Sequence, residues 1–486
     1  MLLRDTSPSI AIIGAGLSGL CMAIKLKENG FSNFTLYEKA EDVGGTWREN
    51  TYPGVACDVP SHLYSFSFEP KADWSRVFSP GGEIQEYIQA LTDKHGLRPH
   101  IRFGAKLTHA EWQDGGWSLG FADGNNARAD YFISGMGGLH IPRYPDIPGA
   151  EQYKGTAFHT AKWNHEHDLT GKRVAVIGTA ASAIQLIPEI VDKVARLDVY
   201  QRTPNWIMPR PFMEYSSRMK RLFTRLPLLE KLHRLQIYLM FEMRFPLFRH
   251  SRFFASHATK MFTKHLEKQV KSESLRKKMM PDYPIGCKRI LASDSFFPAI
   301  TREHVELITD GIERITETGI TSKTGEHREV DTIIYATGFK PWDQMEDITI
   351  KGRGGLDMQD YLKDGIRAHR TVAMPGFPNH FMLLGPNSGL GHNSVIIMIE
   401  AQVRYILDLM KAARAHGSKT VEARDEAADA YDRQLQTDLE GTVWAGHCKS
   451  WYQGEDGRIY TLWPWGTRRY MREMKRANLA EYSLTD

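Results

Sequence analysis

Three glycines near the start of the chain have a spacing that suits phosphate binding. They form the pattern Gly14-x-Gly16-x-x-Gly19, directly after the short apolar run of residues 9–13. Glycine at these positions permits a tight turn and lets a pyrophosphate approach the free N–H groups at the start of the next helix. The pattern therefore predicts a strand, a phosphate-binding turn that includes Ser18, and a helix.

An acid follows where the ribose of a bound nucleotide would lie. Glu38 ends the apolar run of residues 34–38, which predicts the second strand of the same unit. A carboxylate at this place accepts hydrogen bonds from both hydroxyls of an unphosphorylated ribose and repels a phosphate. A lone glycine pattern is weak evidence, but strand, helix and terminal acid together indicate a dinucleotide site.

The same unit occurs a second time in the middle of the chain. The β-branched run of residues 173–177 leads into a turn at 178–183, which contains Gly178, Thr179 and Ser182, and a predicted helix begins at Ile184. Ala180 stands where a glycine normally lets the pyrophosphate approach the backbone. We therefore expect the second nucleotide to bind more loosely, or in a shifted position, but still to bind.

The two units differ in charge at one equivalent position. Glu38 lies 24 positions after Gly14, and Arg202 lies 24 positions after Gly178 (38 minus 14, 202 minus 178). A guanidinium offers a fork of N–H groups to a 2′-phosphate, whereas a carboxylate repels one. The difference favours FAD at the first unit and NADPH over NADH at the second, where Thr203 adds a hydroxyl. An ordinary surface arginine is the alternative for Arg202.

Length and composition limit the class of protein. The chain has 486 residues, which suggests two or three domains at about 150 residues each. A net charge of +4 argues against a dedicated nucleic-acid binder. The cysteines lack the spacing of a zinc site or a disulfide framework, so we predict no metal and a reducing cytoplasm. They are Cys21, Cys57, Cys287 and Cys448.

Two kinds of targeting segment are not expected. The first glycine pattern begins too close to the N-terminus to leave room for a signal peptide. No apolar run reaches the roughly 20 residues that span a bilayer. Both observations agree with a cytoplasmic protein.

The remaining patterns predict how the chain is divided. Alternating apolar residues predict strands over much of residues 70–140, and the buried run at 330–339 predicts a strand that leads back towards the first unit. Residues 63–68 have the alternation of an amphipathic strand. We therefore predict an α/β fold with a first domain at 1–140 and 342–486 and a second domain at 141–341.

Residues 210–280 differ from their surroundings and predict a helical insertion in the second domain. This segment has helical periodicity, many aromatic residues and roughly three basic residues for each acidic one. The favoured interpretation is an inserted subdomain with a solvated basic face. The alternative is an amphipathic surface that touches anionic lipid or admits a lipophilic substrate.

A further motif lies between the two units. The spacing Tyr153-x-Gly155-x-x-x-His159-x-x-x-Trp163 resembles the fingerprint of the type I Baeyer-Villiger monooxygenases, although Tyr153 replaces the usual Phe and Asn164 follows the tryptophan. From the residues alone, an ordinary connector with core aromatics is equally suitable. The resemblance implies two Rossmann-like dinucleotide-binding domains with this motif as the hinge between them.

Two other segments are similar to the same family. The first runs from the Gly44-Gly45 turn through Thr46 and Trp47 to Asp58 and Tyr64, and in that family it lies beside the flavin. From the residues alone, Asp58 is a helix cap or the partner of a cation.

The second segment contains the adjacent cations Lys288 and Arg289, which composition alone would assign to the surface. By resemblance, Lys288 serves the NADPH phosphate and Arg289 the flavin peroxide, with Asp58 orienting Arg289 through an ion pair. Residues 385–395 and Trp451 are expected near the substrate, although core packing is the more ordinary role for Trp451.

The resemblance implies a reaction. NADPH reduces FAD, oxygen adds to the reduced flavin, and the peroxide anion attacks a ketone to give an ester or lactone. Two alternatives remain open at this stage: a flavin monooxygenase that oxygenates nitrogen or sulfur, and an NADPH oxidase or membrane-associated flavoprotein that needs no ketone pocket.

Overall fold

The computed structural model describes residues 7–210, 213–340, 347–363, 365–446, 450–454 and 456–485. In chain order the strands are β1 (Ile10–Ile13), β2 (Phe34–Tyr37), β3 (Ile101–Arg102), β4 (Leu107–Gln113), β5 (Gly116–Phe121), β6 (Asn126–Ala129), β7 (Tyr131–Ser134), β8 (Thr156–His159), β9 (Arg173–Ile177), β10 (Arg196–Tyr200), β11 (Ile207–Met208), β12 (Leu291–Ala292), β13 (Val305–Ile308), β14 (Ile312–Ile315), β15 (Gly319–Ser322), β16 (His327–Glu329), β17 (Thr332–Tyr335), β18 (Thr349–Lys351), β19 (His380–Met382), β20 (Thr420–Ala423) and β21 (Tyr482–Thr485).

The helices are numbered in the same way. They are α1 (Leu17–Glu28), α2 (Thr46–Glu49), α3 (Gly81–Lys94), α4 (Ala181–Ile190), α5 (Ser217–Arg225), α6 (Pro227–Glu242), α7 (Arg252–Gln269), α8 (Glu273–Met279), α9 (Phe296–Ile300), α10 (Met358–Lys363), α11 (Val395–His416), α12 (Asp425–Glu440) and α13 (Thr467–Glu473).

The first glycine pattern lies in a parallel sheet of order β19-β7-β1-β2-β3. Strand β1 is buried along its whole length and is paired on both sides, Ile10 being opposite Phe34 in β2 and Tyr131 in β7. Short β-branched runs suit such a central strand because both of its faces are covered. The predicted order of strand, glycine turn, helix and strand is confirmed, with Glu38 directly after β2.

The second unit has the same construction. Its parallel sheet has the order β13-β10-β9-β17-β8, and α4 follows the Gly178 turn as α1 follows the Gly14 turn. Strand β17, predicted from the buried run at 330–339, pairs with β9 on one side and β8 on the other. The prediction of two dinucleotide-type α/β units is therefore confirmed.

Smaller sheets extend the two units. Strands β4, β5 and β6 form an antiparallel sheet that β18 joins in parallel, and β14, β15 and β16 form an antiparallel meander. Helix α11, whose buried face is almost wholly apolar, packs against α1. The C-terminal part of the chain therefore closes over the helix that begins at the first glycine turn.

The predicted insertion is helical and is attached to the first unit. Helices α5 to α8 lie between β11 and β12 in the chain. Glu230 in α6 forms a buried ion pair with His62, at 3.2 Å between Oε1 and Nδ1, and Arg234 donates to the carbonyl of Ser65 at 2.9 Å. Among the described residues, no helix combines the length and apolar character that crossing a bilayer requires.

Three expectations about single segments need correction. Residues 63–68 form turns instead of a strand, because the backbone and hydroxyl of Ser67 donate to Glu400 in α11 while Phe66 stacks on Phe68. Trp451 is 47% exposed, so core packing is wrong for it. Cys287 takes part in a disulfide bond, whereas the cysteine spacing was expected to give no disulfide framework.

Two of the predicted features cannot be compared with the fold. The boundary at residues 341 and 342 falls partly on residues outside the described ranges, and Cys448 lies outside them too.

Candidate functional site

The first glycine turn is shaped by contacts that exclude side chains. Gly14 has φ +100°, and a β-carbon there would lie 2.7 Å from the carbonyl oxygen of Gly135. A β-carbon on Gly19 would lie 1.9 Å from the carbonyl oxygen of Gly14. Ser18, in the first turn of α1, is 6% exposed. The backbone therefore forms a close cradle at the N-terminus of α1, which suits a pyrophosphate.

Glu38 closes one side of this cradle. Its Oε2 accepts from the backbone N–H of Ala15 at 2.9 Å, and its Oε1 accepts from the N–H of Ala40 at 3.0 Å. The carboxylate is 4% exposed and lies 3.3 Å from the guanidinium of Arg48. The acid is thus held at the end of β2, beside the glycine turn, where a ribose could bind.

The Gly44–Gly45 turn packs directly against the first glycine turn. A β-carbon on Gly45 would lie 3.2 Å from the Cα of Gly16, and the Gly44 N–H donates to Ala15. Directly after this turn come Thr46, the first residue of α2, and Trp47.

The Trp47 indole reaches Tyr64. Its N–H donates to the Tyr64 hydroxyl at 3.3 Å, and the rings meet edge to face at 5.5 Å. Burial raises the pKa of Tyr64, so this hydroxyl stays protonated. Two aromatic residues that are 17 positions apart in the same family-like segment are therefore in direct contact.

Asp58 and Arg289 form an ion pair between the two units. Asp58 Oδ2 accepts from Arg289 Nε at 2.9 Å and from Nη2 at 2.5 Å. Their side chains are 32% and 39% exposed, so the ion pair is half-buried and accessible from solvent. Geometry therefore identifies Asp58 as the partner of a cation, and the alternative of a helix cap is wrong.

The pair also determines its own charge state. Burial opposes the ionisation of Asp58, but the charge and hydrogen bonds of Arg289 outweigh it and lower the pKa of the carboxyl group. The charge of Asp58 raises the pKa of Arg289 despite burial. Both groups are therefore charged at neutral pH, and Arg289 is a permanent cation.

Two further residues join this pair, and sequence reasoning missed both. Tyr452 is 2% exposed; burial raises the pKa of its hydroxyl group, and the charge of Arg289 opposes that shift. Arg210 donates to the carbonyl of Cys57 at 2.8 Å; burial lowers its pKa, while the charge of Asp58 opposes that shift. Neither residue follows a glycine turn or a periodic run, and the only sequence signal was the family-like Ser450-Trp451-Tyr452 segment.

The second glycine turn repeats the first with one difference. Gly178 has φ +110°, a β-carbon there would lie 2.4 Å from the carbonyl oxygen of Ala336, and its N–H donates to Tyr200 as that of Gly14 donates to Tyr37. Ala180 is exposed, so its methyl group occupies the outer side of the turn.

The inner side of this turn is held by the loop after β10. Thr179 is 5% exposed, and its carbonyl accepts from the Asn205 side chain at 3.0 Å.

Arg202 and Lys288 lie close enough to influence each other. Burial and then the charge of Arg202 lower the pKa of Lys288, whose ammonium group lies over the Tyr283 ring at 4.6 Å. Arg202 is exposed, and Thr203 beside it is half-buried. Two cations from distant parts of the sequence therefore lie close to each other, and Arg202 follows by two residues the Tyr200 carbonyl that accepts from Gly178.

Ser182 and the Tyr-Pro-Gly turn connect the two units. The hydroxyl of Tyr52 donates to Gln185 of α4 at 2.8 Å, and Ser182 lies near enough to lower the pKa of Tyr52 against the effect of burial. Gln185 in turn donates to the carbonyl of Ala56 at 3.0 Å. Ser182, predicted to bind the second nucleotide, thus lies where the first unit touches the start of α4.

The fingerprint motif forms the edge strand β8 of the second sheet and the turn after it. A β-carbon on Gly155 would lie 2.3 Å from the Tyr153 hydroxyl oxygen and 2.8 Å from the carbonyl oxygen of Asp331. His159 is fully buried and accepts from the Ala161 N–H at 3.0 Å, and burial lowers its pKa to about 4.

Trp163 meets Phe158 edge to face at 5.1 Å. One residue before it, Lys162 reaches Glu49 of the first unit at 3.3 Å. The motif thus packs within the second sheet and also contacts the first unit through Lys162 and Glu49.

The loop at 385–395 is packed instead of open. A β-carbon on Gly391 would lie 3.0 Å from both Phe248 and Trp444, and the Trp444 indole donates to Gly286. A cavity of about 460 Å³ lies nearby, lined by residues that include Leu247, Ile285 and Val443. Ile285 lies four residues before Arg289 in the sequence.

The chain matches a family of known proteins. Residues 7–351 match the model of the family described as flavin-binding monooxygenase-like. A Baeyer-Villiger monooxygenase of Pseudomonas aeruginosa is 43% identical, with 98% of this chain and 91% of that protein covered. A Baeyer-Villiger monooxygenase of Streptomyces coelicolor is 38% identical, with 98% and 92% covered.

Solved structures of similar fold include enzymes with both nucleotides bound. A closed cyclohexanone monooxygenase superposes with a TM-score of 0.87 at 25% identity and covers 99% of both chains. A steroid monooxygenase bound to NADP has a TM-score of 0.87 at 26% identity, covering 99% of this chain and 100% of that one. OTEMO in complex with FAD and NADP gives 0.88 at 25% identity with the same coverage.

Proposed function

This chain belongs to the flavin-binding monooxygenase-like family and, within it, to the Baeyer-Villiger monooxygenases, and we propose from this premise how its residues carry out that reaction. It is an FAD- and NADPH-dependent enzyme that inserts one oxygen atom of O2 next to a ketone carbonyl to give an ester or lactone. The observation that carries the residue assignment is the Asp58–Arg289 ion pair between the two nucleotide units.

FAD binds at the first unit. The turn around Gly14 and Gly19 has no space for side chains at these two positions, and the buried Glu38 lies beside it. These residues therefore fit the pyrophosphate and ribose of FAD. The residues proposed to hold FAD are Gly14, Gly16, Ser18, Gly19, Glu38, Thr46, Trp47, Asp58 and Tyr64.

NADPH binds at the second unit. The turn at Gly178 has the same close contacts, and Arg202 with Lys288 supplies two cations for the 2′-phosphate. Ala180 is exposed, so we expect its methyl group to weaken nucleotide binding without preventing it. The residues proposed to hold NADP are Gly178, Thr179, Ser182, Arg202, Thr203 and Lys288.

The division into domains follows from these assignments. Residues 1–140 and 342–486 form the FAD domain, and residues 141–341 form the NADP domain with the helical insertion. Gly155, His159 and Trp163 form the hinge, supported by the way β8 combines sheet packing with the Lys162–Glu49 contact.

The protein contributes a fixed positive charge to the reaction. When bound, FAD accepts a hydride from NADPH and activates dioxygen. Arg289 stabilises negative charge on oxygen without giving up a proton, because Asp58 raises a pKa that is already far above neutrality. An oxygen that stays unprotonated remains a nucleophile, which attack on a ketone carbonyl requires.

Asp58 and Tyr452 position this charge. Asp58 accepts two N–H groups of Arg289 and so fixes the plane of the guanidinium, while the buried Tyr452 lies close enough for the charge of Arg289 to act on its hydroxyl group. Arg210, held by Cys57, is a second cation near Asp58. Asp58 thus faces two guanidinium groups, and the three charged side chains together carry a net charge of +1.

Product analysis tests this function directly. The FAD-loaded protein is incubated with NADPH, O2 and linear, cyclic and aryl ketones, and esters, lactones and hydrogen peroxide are quantified. We expect ester or lactone from at least one ketone class. Oxygenation of amines or thioethers without any ester would identify a nitrogen- or sulfur-oxygenating enzyme, and hydrogen peroxide alone would identify an NADPH oxidase.

A further inference from the structure

The outward face of α6 is apolar along its whole length. Leu228, Leu232, Leu235, Leu239 and Met243 follow one another at spacings of four, three, four and four residues, which places them on one side of a helix. Their exposed fractions are between 49% and 68%. The stripe is about 22 Å long at 1.5 Å per residue. A contiguous exposed apolar surface of this kind marks an interaction site.

The inward face of α6 explains why the leucines point outward. Glu230 pairs with His62 at 3.2 Å, and Arg234 donates to Ser65, while Ile237 and Phe241 are buried on the same side. These polar contacts fix the rotation of the helix about its axis. An ordinary surface helix exposes polar residues on its outer side, whereas α6 exposes leucines there.

Cations surround the apolar stripe. Arg218, Arg221 and Arg225 are exposed on α5 at spacings of three and four residues; Lys231 is exposed in the second turn of α6, and Arg244 just beyond its C-terminal end. The acids of α5 and α6 do not balance them. Glu230 is buried, and Glu242 is bonded to Thr467 at 2.6 Å and to Asn393 at 2.9 Å. Residues 217–244 therefore present cations and apolar side chains, with no exposed acid.

We propose that this α5–α6 face, defined by the exposed residues of 217–244, docks on an anionic lipid bilayer. Leucine and methionine side chains enter the boundary between headgroups and acyl chains, while flanking arginines and lysines stay at the level of the phosphates. Each cation near an anionic leaflet adds attraction that salt weakens. A solvated basic face accounts for the cations but not for the exposed leucines.

A second copy of the chain fits this face less well. In a symmetric dimer the same patch meets itself, so the arginines of one α5–α6 face would oppose those of the other. An anionic membrane instead complements both components of the face, the apolar stripe and its cations. The inference goes beyond the proposed reaction, and its test needs no turnover.

Vesicle flotation tests the proposal. The full FAD-loaded chain is floated with phosphatidylglycerol–phosphatidylcholine vesicles and with pure phosphatidylcholine vesicles, at about 50 mM and about 500 mM salt. The variants are Leu232→Gln/Leu235→Gln/Leu239→Gln and, separately, Arg218→Gln/Arg221→Gln/Arg225→Gln. The matched control is Leu356→Gln, whose leucine is 37% exposed elsewhere on the surface.

We expect the native chain and the control to partition onto anionic vesicles roughly tenfold better than onto neutral ones at low salt. The leucine variant loses this binding at both salt concentrations, and the arginine variant loses its salt-dependent part. The proposal is overturned if the native chain does not float with anionic vesicles. It is also overturned if both variants float as well as the native chain does. A third contrary result would be a native chain that does not bind vesicles but forms a dimer, and a leucine variant that is a monomer. FAD content verifies that each variant is folded, and if the leucine variant is not, the arginine variant and the salt series decide the outcome.

Discussion

The carboxylate of Asp58 and the guanidinium of Arg289 are 231 residues apart in the sequence and 2.5 Å apart in the fold. Asp58 follows the turns of the first unit, whereas Arg289 follows the helical insertion of the second. The pair therefore joins the two halves of the enzyme at the place where the cofactors are proposed to meet. An arginine bound in this way has one preferred orientation, which depends on a residue from the other half.

Replacing Asp58 by Asn should separate cofactor use from product formation. Asn keeps the shape but loses the charge that orients Arg289, and a hydrogen bond to a charged group contributes about 1.5–3 kcal/mol. We expect ester formation to fall roughly tenfold or more, while NADPH oxidation continues. Asp192→Asn, an exposed acid after α4, is the control. Parallel loss of both activities would show that Asp58 acts on reduction of the flavin instead.

Arg202→Ala and Lys288→Ala should each weaken NADPH binding selectively. Both cations lie beside the second glycine turn, and Lys288 is influenced by the charge of Arg202. Removing one charge-assisted contact to a phosphate should raise the KM for NADPH by roughly tenfold or more and leave the KM for NADH almost unchanged. Steady-state kinetics with both nucleotides measures this, with Lys193→Ala as control. Equal effects on the two nucleotides would contradict phosphate recognition.

Gly155→Ala should destabilise the hinge. The new β-carbon would lie 2.8 Å from the backbone carbonyl oxygen of Asp331, which cannot move without shifting β17. Overpacking of this kind costs about 1–3 kcal/mol, and thermal unfolding should show a lower Tm. Gly82→Ala is the matched control, because a β-carbon there meets nothing within 4 Å and alanine favours the helix. An unchanged Tm for Gly155→Ala would mean that β8 is not held as described.

Buried histidines predict a loss of stability in mild acid. Burial lowers the pKa of His159 to about 4 in the folded state, from 6.5. Between pH 6.5 and 4 the unfolded chain binds a proton that the folded chain does not, so the free energy of unfolding falls as the pH falls. His159 alone contributes roughly 3 kcal/mol over this window. Denaturant unfolding at neutral pH and near pH 5 should show the loss, and His159→Gln should reduce it; a pH-independent free energy would contradict it.

The parts of the fold that could be predicted are those determined by local sequence. The run before Gly14 is β-branched, the glycine permits a positive φ, and Glu38 ends the next strand, so neighbouring residues define the unit. The alternation at 63–68 was misleading because these residues form turns, and Ser67 there donates to Glu400, far away in the chain.

The candidate site was predictable only in part for the same reason. The Asp58–Arg289 pair was expected from the resemblance, and the fold brings the two residues together. Tyr452 and Arg210 have no local signal, because their positions depend on how distant loops pack. The exposed Trp451 shows that an aromatic residue in a sequence does not by itself indicate core packing.

The most direct test of the account compares Arg289→Ala with the native enzyme on one accepted ketone. NADPH consumed, hydrogen peroxide released and ester formed are measured in the same reaction, with FAD content determined beforehand and the exposed Arg302→Ala as control. We predict that Arg289→Ala retains FAD and oxidises NADPH but releases hydrogen peroxide in place of ester. An ester yield per NADPH equal to that of the native enzyme would contradict the central role of this cation.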